Sequence, residues 1–178
     1  MGGDAVVRGD QGAAGTEPGS FDGFYRAHVT STLAVVIALR GHRVGAEDVV
    51  QEAFLRAHHR WQQVADMDRP DLWVQRVALN LATSQLRRLG AETRALVRLR
   101  GRPAPPVTEA FGREQGFWDA VRRLPPKQAR VVALRYAADL PVVEIAEVVG
   151  VAEGTVKAQL HTARARLAVL LHDEEVGR

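Results

Sequence analysis

Apolar residues recur at helical spacing through most of this chain, and no segment alternates cleanly over several residues as a strand would. Phe21, Phe24, Tyr25, Leu33, Val36 and Ile37 follow Ser20, a natural N-cap, and predict one or two helices that end near Gly41. Val50, Phe54, Ala57 and Trp61 form the core stripe of a helix over 46–61. A further helix starts at Pro70, which suits a first turn, and runs to about Leu89. Later in the chain the pattern predicts helices at about 114–123, 126–138, 142–149 and 153–171.

Two stretches break the pattern. Residues 1–19 are Gly-rich, lack any hydrophobic period and are expected to form a disordered tail. Pro103, Pro105 and Pro106 cannot continue a helix and read as a stiff connector. The expected fold is all-α, with two small helical domains at 20–90 and 113–174, a flexible Arg- and Pro-rich linker at 91–112, and a short tail at 175–178. With 46% hydrophobic residues in 178, there is enough apolar material for packed cores.

The stretch from Leu140 to Leu171 is the most telling. Val142, Ile145, Ala146 and Val149 make one apolar stripe, Gly150 supplies the turn, and Val151 is placed to fill the angle. Val156, Leu160, Ala163, Leu167 and Leu170 line one face of the next helix, while Lys157, Gln159, His161, Thr162, Arg164 and Arg166 occupy the others. A short helix, a tight turn and a longer basic helix are the parts of a major-groove reader.

Charge sharpens that reading. The formal net charge is only +3, but Arg76, Arg87, Arg88, Arg94, Arg98, Arg100 and Arg102 share a stretch with one acid, Glu92. Glu47, Asp48 and Glu52, like Asp173, Glu174 and Glu175, gather elsewhere. Such asymmetry suits an anionic partner on one surface and a different partner on another. On helix 46–61 the side opposite the core carries Asp48, Gln51, Glu52, Leu55 and His59, an acidic and polar face with one leucine. This suits docking to a protein with basic and apolar groups. On helix 70–89, Arg76, Asn80, Thr83 and Arg87 form a polar stripe flanked by Trp73 and Ser84. Arginine binds phosphate, Asn and Thr reach base edges, and Trp offers a stacking plane, so the stripe fits opened or single-stranded nucleic acid.

Other chemistries find little support. The chain has no cysteine, and its six histidines lack metal-ligand spacing. No Ser/His/Asp set, phosphate loop or clustered carboxylate pair is evident, so no catalytic residue, cofactor or metal is expected. The N-terminus lacks a signal-peptide pattern, and the longest apolar run, Leu33 to Leu39, is too short to span a bilayer. A cytoplasmic protein without membrane insertion is expected.

Four segments together resemble a bacterial extracytoplasmic-function (group IV) sigma factor of the sigma-70 family: AEDVVQEAFLRAHHRW at 46–61, RPDLWVQRVALNLATSQLRR at 69–88, LPPKQARVVALRY at 124–136 and LPVVEIAEVVGVAEGTVKAQLHTARARL at 140–167. The resemblance implies a region 2-like domain and a region 4-like helix-turn-helix domain. It implies that Asp48, Gln51, Glu52 and Leu55 bind the β′ clamp helices of core RNA polymerase. It places the melted non-template strand of the minus-10 element along Trp73, Arg76, Asn80, Thr83, Ser84, Arg87 and Arg88, with a flipped base held by the loop at about 62–71. It places the double-stranded minus-35 element on Thr155, Lys157, Ala158, Gln159, His161, Thr162, Arg164 and Arg166, next to a contact with the β flap. It also implies regulation by an anti-sigma factor.

Members of that family commonly carry Ser and Arg after the Lys of the recognition helix, and another Arg three positions on. Here those positions are Ala158, Gln159 and Thr162. The outward line Ala158, His161, Thr162 and Ala165 has no permanent positive charge, which predicts an unusual minus-35 preference. The alternative is a stand-alone helix-turn-helix regulator. That reading leaves the first-domain faces unexplained, and no dimerisation seam is evident for paired half-sites.

Overall fold

The computed structural model describes residues 19–100 and 114–176, with side chains over 19–89 and 114–173. The expected tail and proline connector therefore lie outside the described residues. Eight helices follow in order: α1 (Phe21–Arg40), α2 (Ala46–His59), α3 (Trp61–Ala65), α4 (Pro70–Arg100), α5 (Gln115–Arg123), α6 (Pro126–Ala137), α7 (Val142–Val149) and α8 (Glu153–Val176). No strand occurs among the described residues.

The sequence signals explain most helix ends. The Ser20 side chain accepts from the Gly23 N–H at 3.2 Å and caps α1. Gly41, at φ 85°, closes the same helix with its N–H 2.7 Å from the Ile37 carbonyl. Three ends differ from expectation. The single helix expected over 46–61 breaks at Arg60, where φ is −121°, and Trp61 starts α3. This break lets the Trp61 ring meet Phe21 and Phe24, with ring centres 5.4 and 5.1 Å apart. α4 continues past Leu89 to Arg100, so much of the expected linker is helix. Gly90 alone does not stop it, because one interior Gly costs only about 1 kcal/mol relative to Ala. α8 likewise runs beyond Leu171 to Val176, since no Gly or Pro intervenes.

Two apolar clusters form. The first joins α1, α2 and α4 through Val36, Val50, Phe54, Val74 and Ala78, with Phe24, Tyr25 and Trp61 packed at its edge. The second contains Trp118, Val121, Leu134, Ile145, Val156 and Leu160 from the helix-turn-helix half. It also takes in Val35, Leu39, Leu72 and Leu79 from α1 and α4. The two halves thus share a core. This follows from the continuous run Leu33–Leu39, which buries α1 on more than one side near its C-terminus. Full burial of one aliphatic side chain is worth about 1.5–3 kcal/mol, so several such side chains give the closed arrangement substantial support.

Candidate polymerase and nucleic-acid interfaces

α2 presents two faces. Val49, Val50, Ala53, Phe54 and Ala57 are buried, and Asp48, Gln51 and Leu55 point to solvent. Leu55 is 49% exposed, with only polar neighbours one turn away on its own face. Glu52 is half-buried and accepts from Arg56 Nε at 2.7 Å, which leaves the face acidic but partly neutralised. Behind it, Arg40 donates to Gln85 Oε1 at 2.8 Å. Burial lowers the Arg40 pKa, and the charge of Asp48 opposes that shift.

On α4, Arg76, Asn80, Ser84, Arg87 and Arg88 are exposed, and Trp73 lies half-buried against the first cluster. Thr83 departs from the expected stripe. It is 8% exposed, and its hydroxyl donates to the Leu79 carbonyl at 2.7 Å. Helical drift carries Thr83 from the Arg76 line towards the Leu72–Leu79 line, which the second half covers. A cavity of about 500 Å³ opens beside the start of this helix. Asp66, Met67, Asp68, Arg69, Leu72, Trp73 and Arg76 line it, and Glu147 of α7 closes one side.

In the helix-turn-helix, Val156, Leu160, Ala163 and Leu167 of α8 are buried, and Leu170 is half-buried. Gly150, at φ 70°, ends α7 in the left-handed conformation. Val151 does not fill the interhelical angle as expected. Its side chain is 38% exposed, and its backbone N–H instead bonds the Ala146 carbonyl at 3.1 Å. Val148, absent from the expected stripe, is buried in the cluster that contains Leu72 and Leu79.

The remaining α8 residues face outward. Thr155, Lys157, Ala158, His161, Thr162, Arg164, Ala165 and Arg166 are exposed, and Gln159 is half-buried. Arg164 Nε reaches Tyr136 Oη at 3.3 Å and Arg166 Nη1 reaches Gln128 Oε1 at 3.0 Å, so α6 orients both guanidiniums. The Thr162 hydroxyl donates to the Ala158 carbonyl at 3.0 Å.

Several polar contacts across the halves involve residues that sequence reasoning assigned elsewhere or missed. Arg76 donates to the carbonyls of Glu147 and Val148. Arg69 is held between Asp71, at 3.0 and 2.7 Å, and Glu144 of α7. Hydrogen bonds to these two acids raise the Arg69 pKa further. Partners 71 to 75 positions apart leave no local signature, so no sequence signal marked these contacts. Among the described residues, no group of three side chains suits a metal ion.

Two family models match the chain: "Sigma-70 region 2" over residues 24–92 and "Sigma-70, region 4" over 115–167. An RNA polymerase sigma-E factor of Streptomyces coelicolor is 31% identical over 147 residues, covering 83% of each chain. An ECF RNA polymerase sigma factor, SigL of Mycobacterium tuberculosis, is 31% identical over 175 residues, covering 94% of this chain and 97% of that one. The chain belongs to the extracytoplasmic-function sigma factors. Solved structures agree on the fold. A sigma factor, RpoE, crystallised with the anti-sigma factor NepR from Bartonella quintana, superposes with a TM-score of 0.70 at 24% identity, covering 85% of this chain and 96% of that one. CnrH, solved in complex with the cytosolic domain of CnrY, gives 0.61 at 21% identity, over 86% and 88%.

This sigma factor directs core RNA polymerase to promoters, and the stand-alone regulator is disfavoured. Members of its family are non-catalytic regulatory subunits. No helix among its described residues is long and apolar enough to cross a membrane.

Proposed function

We propose that three surfaces divide the work of initiation. The α2 face of Asp48, Gln51, Glu52 and Leu55 docks on the β′ clamp helices. An exposed leucine ringed by acids and an amide supports this, because apolar contact and charge complementarity then act together. Trp73, Arg76, Asn80, Ser84, Arg87 and Arg88 of α4 hold the non-template strand of the minus-10 element, with the cavity at 66–76 receiving an unstacked base. Thr83 is left out of this set because it is buried. The outward face of α8, from Thr155 to Arg166, reads minus-35 DNA, and Lys157, Arg164 and Arg166 anchor phosphates.

The working units are 20–90 and 113–174, and the connector lets them separate on polymerase. The protein is cytoplasmic and is not an enzyme, so melting draws on binding energy alone. An anti-sigma factor that covers the polymerase-facing surfaces would regulate it. One observation carries the reading: a chain of this family presents an acidic leucine-bearing face on one half and a basic helix-turn-helix on the other.

In vitro transcription tests the proposal. Purified core polymerase, with and without this protein, transcribes a genomic-fragment library, and 5′ ends are mapped. New starts that share a two-part upstream motif are expected. No new starts, together with no co-purification with core polymerase, would overturn it.

A further inference from the structure

We propose that the cleft bounded by α1, α4, α5 and α6 is a binding site for a small amphipathic anion, one compact acidic head on a short apolar body. A cavity of about 200 Å³ opens there, distinct from the pocket beside the start of α4. Leu39 and Leu86 wall it from the first half, and Leu124, Pro126 and Ala129 from the second. Leu39, Leu124 and Ala129 are buried, while Leu86 is exposed.

Charge at this cavity is one-sided. Arg87, Arg122 and Arg130 line it, and no acid among the described residues does. Arg122 is already committed: its guanidinium pairs with Asp119 and donates to the Ala38 carbonyl at 3.5 Å. Arg130 differs. Its Nε is buried with no hydrogen-bond partner among the described residues. A buried donor left unpaired costs free energy, and more so when it is charged. Burial lowers the Arg130 pKa, and the like charge of Arg87 lowers it further. Two guanidiniums thus stand close enough to repel each other with no counter-charge lining the cavity. The first turn of α6 adds to the positive field, because Pro126 and Ala129 border the cavity and that turn carries no acid.

A carboxylate or phosphate head between Arg87 and Arg130 supplies the missing acceptor and relieves their repulsion. The apolar walls select what the head is attached to. A bare ion leaves Leu39, Leu124 and Ala129 without a partner, whereas each buried CH₂ strengthens binding about fourfold. A cavity of this size is below the about 300–1,000 Å³ that holds a drug-sized ligand, so the body is a short chain or a single ring. Both halves contribute walls, so occupancy adds to the stability of the whole chain.

Hexanoate, butyl phosphate, inorganic phosphate and hexanol are titrated against the full chain by calorimetry and by thermal unfolding. Hexanoate or butyl phosphate should bind at a single site with a Kd of about 1 mM or below. At about tenfold excess over Kd it should raise the melting temperature by about 3 °C. The tighter of the two identifies the head group. Inorganic phosphate and hexanol each lack one part of the ligand and should bind at least about tenfold more weakly. Arg130→Met keeps much of the side-chain length without its charge. It should lose at least about tenfold in affinity, with a ligand-free melting temperature that is unchanged or raised, because an unpaired, repelled charge is gone. Arg130→Lys should recover part of the affinity. Arg87→Gln, at an exposed position, should weaken binding about fivefold without disturbing a packed side chain.

Absence of saturable binding by either amphiphile would overturn the inference. So would equal affinity for inorganic phosphate, which marks an adventitious ion only, or equal affinity for hexanol. Unchanged affinity in Arg130→Met and Arg87→Gln would do the same. No readout involves polymerase or promoter DNA, so the outcome is independent of the three initiation surfaces.

Discussion

Replacing Leu55 by Asp separates folding from docking, and the structure gives a size for each effect. Leu55 is 49% exposed, so the folded state keeps only about half of the 1.5–3 kcal/mol that full burial of a leucine is worth. Its loss therefore costs about 1 kcal/mol. Asp is a weaker helix former than Leu by about 0.5 kcal/mol in an interior position. A new negative charge three residues from Glu52 adds a few tenths, about 0.3 kcal/mol. The total is about 2 kcal/mol, against about 5–15 kcal/mol for a typical domain, so the variant stays folded. Its melting temperature should fall by about 4–8 °C for a chain of this size.

Binding should respond more strongly. A buried apolar anchor at an interface centre is worth about 2 kcal/mol or more, and an unpaired buried carboxylate adds to the loss. Affinity for core polymerase should fall at least about 30-fold. The assay is titration of dye-labelled protein with core polymerase, alongside thermal unfolding. Leu55→Gln, which removes the apolar contact without adding charge, should bind at an intermediate level. A Kd for Leu55→Asp within twofold of the original, in a variant that melts cooperatively, would refute the assignment of this face.

Other surfaces give independent checks. Asn80→Ala, on an exposed position of α4, should leave core binding unchanged and reduce open-complex formation, read by permanganate reactivity of the minus-10 strand. Gly150→Ala should cost about 1–2 kcal/mol in chemical denaturation, because φ is 70° and nothing lies within 4 Å to add a clash. Thr162→Arg puts a guanidinium on the outward line of α8 and should add guanine preference at one minus-35 position, worth about 1–3 kcal/mol in competition binding. Acid should also probe the loop before α4. Burial pushes the Asp71 pKa up, but the hydrogen bond and charge of Arg69 outweigh it and hold the carboxyl below its usual value. With a folded pKa below the unfolded one, this contribution is present above the ordinary carboxylate range and is lost as pH falls through the lower value. Melting temperature should drop below about pH 4, and that part of the drop should vanish in Asp71→Asn.

The fold was largely legible because its signals are local. Ser20, Gly41, Pro70 and Gly150 mark helix ends through backbone chemistry that needs no distant partner. The stripe Val156, Leu160, Ala163 and Leu167 is buried where its period placed it, because a helix must turn its apolar side to a core. The exposed positions of Asp48, Gln51, Leu55, Arg76 and Asn80 were legible for the same reason in reverse. Helix ends without a breaker were less so, and α4 and α8 both outran their expected limits.

The existence and order of the main helices, their apolar faces, the turn of the helix-turn-helix and the family can all be read from the residues alone. Each of these is written within a few residues or in motif order. Only the tertiary structure decided that α1 and α4 carry a second buried face, that Thr83 turns inward, and that Arg69 and Arg76 meet α7. These outcomes depend on how two halves of the chain approach one another. No periodicity encodes that approach, because the partners are far apart in sequence and their contacts form only once both local folds exist.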